Sequence, residues 1–168
     1  TLKKGMEPLA GLPVIVVDSE TEGLDPLTHR VLLIQLGTDA YQLLVDCTRV
    51  DPAPLAAILA GTQVKVFQNG KFDLKMLEAW FGLRVRNAAD TMLIEQVLGN
   101  ALHRGSDRVE RVSLQFLARK YLGVELDKTE RKSFLTSGSG LSIGTFIGVF
   151  GLGAFGTLCS PPRTPVWL

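Results

Sequence analysis

The chain has 168 residues, with 18 lysines and arginines against 17 aspartates and glutamates and a formal net charge of +1. That length suits one domain of ordinary size, which buries about two-thirds of the surface its unfolded form exposes. The charge balance argues against a protein gripping long duplex DNA through many phosphates, but it fits one that holds a few nucleotides at a local site.

Residues 1–12 read as a polar lead-in. Val14–Val17, four β-branched residues after Pro13, predict a buried strand that ends in Asp18-Ser19-Glu20. Strand side chains alternate, so Asp18 and Glu20 point the same way, at the carboxyl end of a central strand where open α/β sheets bind ligands. Two carboxylates so close repel, and a hard divalent cation with oxygen ligands relieves the repulsion most simply. The bland alternative is a strand ending in a polar, solvated loop. Gly23 to His29 supplies turn residues before a second apolar run, Val31–Leu36. Gly37-Thr38-Asp39 then predicts a tight turn and a hairpin with Tyr41–Val45. Pro52 to Ala60 reads as a helix with prolines in its first turn, and Val64–Gln68 as a strand. Lys71–Trp80 reads as a helix, with Asn69 placed to cap it and Trp80 in the core. Val85 suggests a short strand. Thr91–Leu98 reads as a helix capped by Asp90, and Ser113–Leu122 as a helix capped by Ser113 and stopped by Gly123. The order predicts a mixed α/β sheet whose first three strands form a meander.

Asn69-Gly70-Lys71-Phe72-Asp73 carries a third carboxylate. If Val64–Gln68 lies beside Val14–Val17, Asp73 reaches the same sheet edge as Asp18 and Glu20. Three such carboxylates can hold two divalent ions roughly 4 Å apart, enough to activate water and stabilise a leaving oxygen in phosphodiester hydrolysis. Taken alone, Asp73 is equally an acid favoured at a helix N-terminus.

Asp18-Ser19-Glu20-Thr21-Glu22-Gly23-Leu24, Asn69-Gly70-Lys71-Phe72-Asp73, Asp90-Thr91-Met92-Leu93 and the stretch from Ser113-Leu114-Gln115 to Leu126-Asp127-Lys128-Thr129 together resemble the DEDD-type 3′–5′ exonucleases. The resemblance covers roughly residues 10–133. It is strongest to the proofreading domain of family A DNA polymerases, and ribonuclease D is similar. It implies a ribonuclease H-like α/β fold, a mixed sheet of about five strands flanked by helices. It also implies two Mg²⁺ or Mn²⁺ ions held by Asp18, Glu20 and Asp73, with Asp18 bridging both. Thr21 and Leu24 would contact the terminal nucleotide, and Asn69 would support the second-motif turn. The implied partner is the 3′ end of single-stranded DNA, or of RNA, and a polymerase domain in the parent protein.

The family's third motif is a Tyr or His followed four residues later by Asp, on a helix near the C-terminus. This chain has no Asp after Asp127 and no Tyr after Tyr121. Residues 133–168 contain no acid and one charge, Arg163, and are rich in Gly and Phe. The expected division is an exonuclease-like domain over 1–133, lacking its C-terminal helix, and an aberrant tail over 134–168 that a frameshift explains most simply. Impaired activity follows, with a non-cleaving nucleic-acid-binding module as the rival reading. Leu141–Leu158, uncharged and containing Gly144-x-x-x-Gly148, is the weaker alternative of a membrane tether. His29 and His103 read as surface residues, and Lys128, Arg131 and Lys132 as a basic cluster near a nucleic-acid backbone or simply a solvated face. Cys47 and Cys159 match no metal spacing and read as inert thiols of a cytoplasmic protein. No signal peptide is visible, and a start at Thr1 without Met reads as a fragment or processed chain.

Overall fold

The computed structural model describes residues 1–102, 112–125 and 166–167. Helix α1 (Leu2–Met6) and a 3₁₀ turn (Glu7–Leu9) lead into strand β1 (Val14–Thr21). Strands β2 (Val31–Gly37) and β3 (Gln42–Asp46) follow, then a 3₁₀ turn (Ala53–Leu55) with helix α2 (Ala56–Leu59). Strand β4 (Val64–Phe67), helix α3 (Lys71–Phe81), strand β5 (Ala88–Asp90) and helices α4 (Thr91–Leu102) and α5 (Leu114–Leu122) complete the main body. A two-residue strand β6 (Val166–Trp167) pairs with β3.

The strands form one sheet in the order β5-β4-β1-β2-β3-β6. β1, β2 and β3 are the expected antiparallel meander. β4 lies parallel to β1, and β5 parallel to β4, so the sheet is mixed, as predicted. Pairing with β2 carries β1 past Val17 as far as Thr21, with a register shift between Glu20 and Thr21. Asp18 and Glu20 therefore sit inside a paired strand, beside an irregularity of the kind that re-aims side chains near active sites.

The two faces of the sheet differ. Ile15, Val17, Ile34, Leu36, Leu43, Val45 and Phe67 form the main core with α2 and with Met76 and Leu77 of α3. On the opposite face Leu33 and Leu44 form a small separate cluster.

The structure corrects several local expectations. Residues 1–12 are not a lead-in: Leu2, Met6 and Leu9 join the core, Leu9 with no exposure at all. The fifth strand is Ala88–Asp90 rather than one at Val85, which packs in a loop against the core. The strand exists because β4 offers it a parallel edge, an inducement that alanine's weak strand preference does not reveal. Trp80 is 38 % exposed, not core. Gly70, not Asn69, occupies the N-cap position of α3.

The 134–168 tail apart from β6's backbone, the Leu141–Leu158 stretch, His103, Lys128, Arg131, Lys132 and Cys159 lie outside the described residues. Among the described residues no helix is long and apolar enough to cross a membrane.

Candidate active site

The two-residue period of β1 sorts its end into opposite faces. Asp18 and Glu20 are half-buried and share a face; their partners on β2 are Gln35 and Leu33. Ser19, 8 % exposed, points to the main-core side with Ile15 and Val17. That is the side on which α3 packs.

Asp73 lies in the first turn of α3 and is 5 % exposed. Its Oδ1 accepts the Ser19 backbone N–H at 3.0 Å and the Ser19 hydroxyl at 2.6 Å. Burial pushes the Asp73 carboxyl up from 3.8 to about 6, against the pull of the Ser19 hydrogen bonds.

The turn before α3 is held by a residue that sequence alone placed only as a cap. Asp90 accepts the Asn69 N–H at 3.1 Å and the Gly70 N–H at 2.8 Å. It also accepts the Met92 N–H at 2.9 Å and the Leu93 N–H at 3.3 Å, the expected cap of α4. One carboxylate thus clamps the starts of two helices, which the parallel pairing of β4 with β5 brings side by side. Asn69 adopts a left-handed φ of 61°, a conformation asparagine tolerates. A Cβ on Gly70 would come within 2.4 Å of the Phe67 Cβ, so only glycine lets the turn lie this close to β4.

Beyond β1, Thr21 donates its hydroxyl to the Gly23 carbonyl at 2.7 Å, and Leu24 is 81 % exposed. The loop is braced by Arg30 on Glu22, whose hydrogen bond lowers the Glu22 carboxyl to about 2. His29 packs against Gly23 and accepts the Asp25 N–H at 3.2 Å through Nδ1. These contacts brace the loop that follows β1.

The structure therefore brings Asp73 to the residue between Asp18 and Glu20. Among the described residues, no group of three His, Cys, Asp or Glu side chains is placed to hold a metal ion. The cause is geometric: Asp18 and Glu20 project from one face of β1, while Asp73 arrives from a helix on the other and binds Ser19. In chemistry the donors fit a hard divalent cation, since all are carboxylate oxygens.

Sequence reasoning also missed Glu95, the only charged residue of α4 and 5 % exposed. It accepts the Tyr121 hydroxyl at 2.5 Å and pairs with Lys120, fastening α4 to α5. Lys120 and then Tyr121 hold its carboxyl below the ordinary range. A lone acid in an otherwise uncharged helix was the available signal. Cys47 is half-buried, and burial raises its thiol to about 12, which keeps it unreactive.

An antiparallel meander continued by parallel β4 and β5, with acids on the central strand and at the head of the following helix, defines the ribonuclease H-like class of α/β domains. Residues 1–135 match the family model described as 3′–5′ exonuclease. The chain belongs to that family, the DEDD-type 3′–5′ exonucleases, which are phosphodiester hydrolases. Among solved structures it is similar to Escherichia coli RNase D, at 25 % identity and a TM-score of 0.67, over 83 % of this chain and 36 % of that one. It shares its fold with Brucella melitensis NrnC with bound Mg²⁺, at 19 % identity and a TM-score of 0.66, over 88 % of this chain and 69 % of that one. The catalytic core of Trypanosoma brucei RRP6 has the same fold, at 22 % identity and a TM-score of 0.69, over 94 % of this chain and 43 % of that one. A search of curated proteins found no match.

Proposed function

We propose that the chain is a metal-dependent 3′–5′ exonuclease acting on the terminal phosphodiester of single-stranded nucleic acid, with activity reduced by loss of its third motif. The match to the exonuclease family across residues 1–135 carries this reading. Asp18, Glu20 and Asp73 are the residues that would hold two Mg²⁺ or Mn²⁺ ions, which when bound supply water activation and charge stabilisation. Asp18 and Glu20 share one strand face, and the Ser19 hydrogen bonds tie Asp73 to the residue between them. Thr21 and the exposed Leu24 are assigned to the terminal nucleotide, where an apolar side chain covers a base face without reading its identity. Asn69 is assigned to the turn that presents Asp73.

Without a third-motif Asp and its Tyr or His partner, the proposed rate falls by about 10³-fold or more relative to a complete site. The same reading divides the chain into an exonuclease-like unit over 1–133 and a frameshifted tail over 134–168, in a cytoplasmic protein whose parent carried a polymerase domain. Single-stranded DNA is the first substrate reading, from the proofreading-like motifs. RNA is the second, favoured by the likeness to RNase D, an exoribonuclease involved in structured RNA processing, and to NrnC bound to pGG.

The test is to incubate 5′-labelled single-stranded DNA and RNA in parallel with the full chain and Mn²⁺, beside its Asp18→Ala form. A ladder of shortened products that disappears in Asp18→Ala supports the enzyme, and the strand that yields it identifies the substrate. Retention of either strand with no ladder would point to the binding module instead.

A further inference from the structure

Gln35 sits in the middle of β2 and has no exposure. Neither its amide nitrogen nor its amide oxygen has a hydrogen-bond partner among the described residues. A buried amide left unpaired costs about 1–3 kcal/mol, and native proteins rarely keep one without a use. Its position suggests the use. Gln35 is directly paired with Asp18 on β1 and with Leu44 on β3, and cross-strand partners lie on the same face with Cβ atoms about 4.5–5.5 Å apart. Leu44 and its neighbour Leu33 form the apolar cluster of that face and offer no polar partner. Asp46, on a diagonal, is engaged by the Thr48 backbone and hydroxyl and by Arg49. The polar group directly opposite the orphaned amide is the Asp18 carboxylate.

We propose that Gln35 is a positioning residue for Asp18, its Nε2 donating to the Asp18 carboxylate and turning the other oxygen toward a divalent cation. The amide then gains its missing partner only when the cation draws the carboxylate into place. Carboxylates that bind metals are themselves held by hydrogen-bond donors, and removing such a donor weakens metal affinity about 10- to 100-fold. The inference rests on the reading of Asp18 as a cation ligand.

Mn²⁺ affinity, measured by electron paramagnetic resonance on the full chain without nucleic acid, tests it. Gln35→Met keeps the volume and removes the amide. The expected result is an Mn²⁺ Kd raised about 10- to 100-fold, with an unchanged or higher thermal midpoint in EDTA, since an unpaired buried amide has been removed. Unchanged Mn²⁺ affinity in Gln35→Met, with binding abolished in Asp18→Ala, overturns the role of Gln35 and leaves the metal reading standing. If wild type and Asp18→Ala bind Mn²⁺ alike, or neither binds it, the metal reading itself fails and takes this inference with it. A measurement on wild type covers the case in which Gln35→Met does not fold. The Gln35 side-chain NH₂ resonances should shift saturably with added Mg²⁺, and resonances that stay fixed at saturation overturn the proposal.

Discussion

Replacing Asp73 with asparagine should make the cation-free protein more stable at neutral pH, although it removes a residue of the proposed site. Burial raises the Asp73 carboxyl from 3.8 to about 6. A carboxyl that holds its proton more tightly in the folded state leaves stability intact below about pH 4 and erodes it as pH rises through about 6. At about 1.4 kcal/mol per pH unit, the full loss is about 3 kcal/mol. Asparagine keeps an acceptor for the Ser19 N–H and hydroxyl but carries no charge. Its own buried N–H₂ group takes back about 1 kcal/mol. Asp73→Asn should therefore be about 2 kcal/mol more stable than wild type at pH 7.5 in EDTA, and no more stable at pH 4. Urea unfolding followed by far-ultraviolet circular dichroism at both pH values measures the difference. An asparagine variant less stable than wild type at pH 7.5, or an advantage independent of pH, would refute the reasoning. Saturating Mg²⁺ adds a second arm: wild type should gain stability by mass action while Asp73→Asn gains less.

Two further perturbations probe the frame around the site. Leu9→Ala should cost about 2–5 kcal/mol in urea unfolding, because Leu9 is fully buried against the main core; a cost below about 0.5 kcal/mol is what a solvated lead-in would show. Asp90→Ala strips the acceptor from four backbone N–H groups, those of Asn69, Gly70, Met92 and Leu93. A loss of about 2–4 kcal/mol is expected, with faster hydrogen exchange at the Gly70 and Met92 amides; unchanged exchange there would refute the clamp.

The strands and helices that sequence revealed are those with a strong local signal. The β-branched run before Asp18 marked a strand, although only its Ile15 and Val17 side is buried and Val14 is 45 % exposed. Ser113 and Gly123 marked both ends of α5, and the structure places the Ser113 hydroxyl on the Phe116 N–H and Gly123 in the left-handed region. The N-terminal helix was misread as a polar lead-in, although Leu2, Met6 and Leu9 recur at i, i+4 and i+7. The interspersed Lys3, Lys4 and Glu7 masked that stripe. β5 was not legible, because Ala88 and Ala89 become a strand only when β4 offers an edge to pair with.

By itself the sequence determined the meander and the elements from β1 to α3, the shared face of Asp18 and Glu20, the place of Asp73 in the first turn of a helix, and membership of an exonuclease family. Those follow from short-range rules: alternation along a strand, periodicity along a helix, and motifs at fixed spacing. Tertiary structure alone decided which groups meet. The side of the sheet on which α3 packs delivers Asp73 to Ser19, the pairing of β4 with β5 carries Asp90 to the Asn69-Gly70 turn, and the register of β2 sets an unpaired amide opposite Asp18. Each of these contacts spans many residues of chain, and no local pattern encodes which face or which register brings its members together.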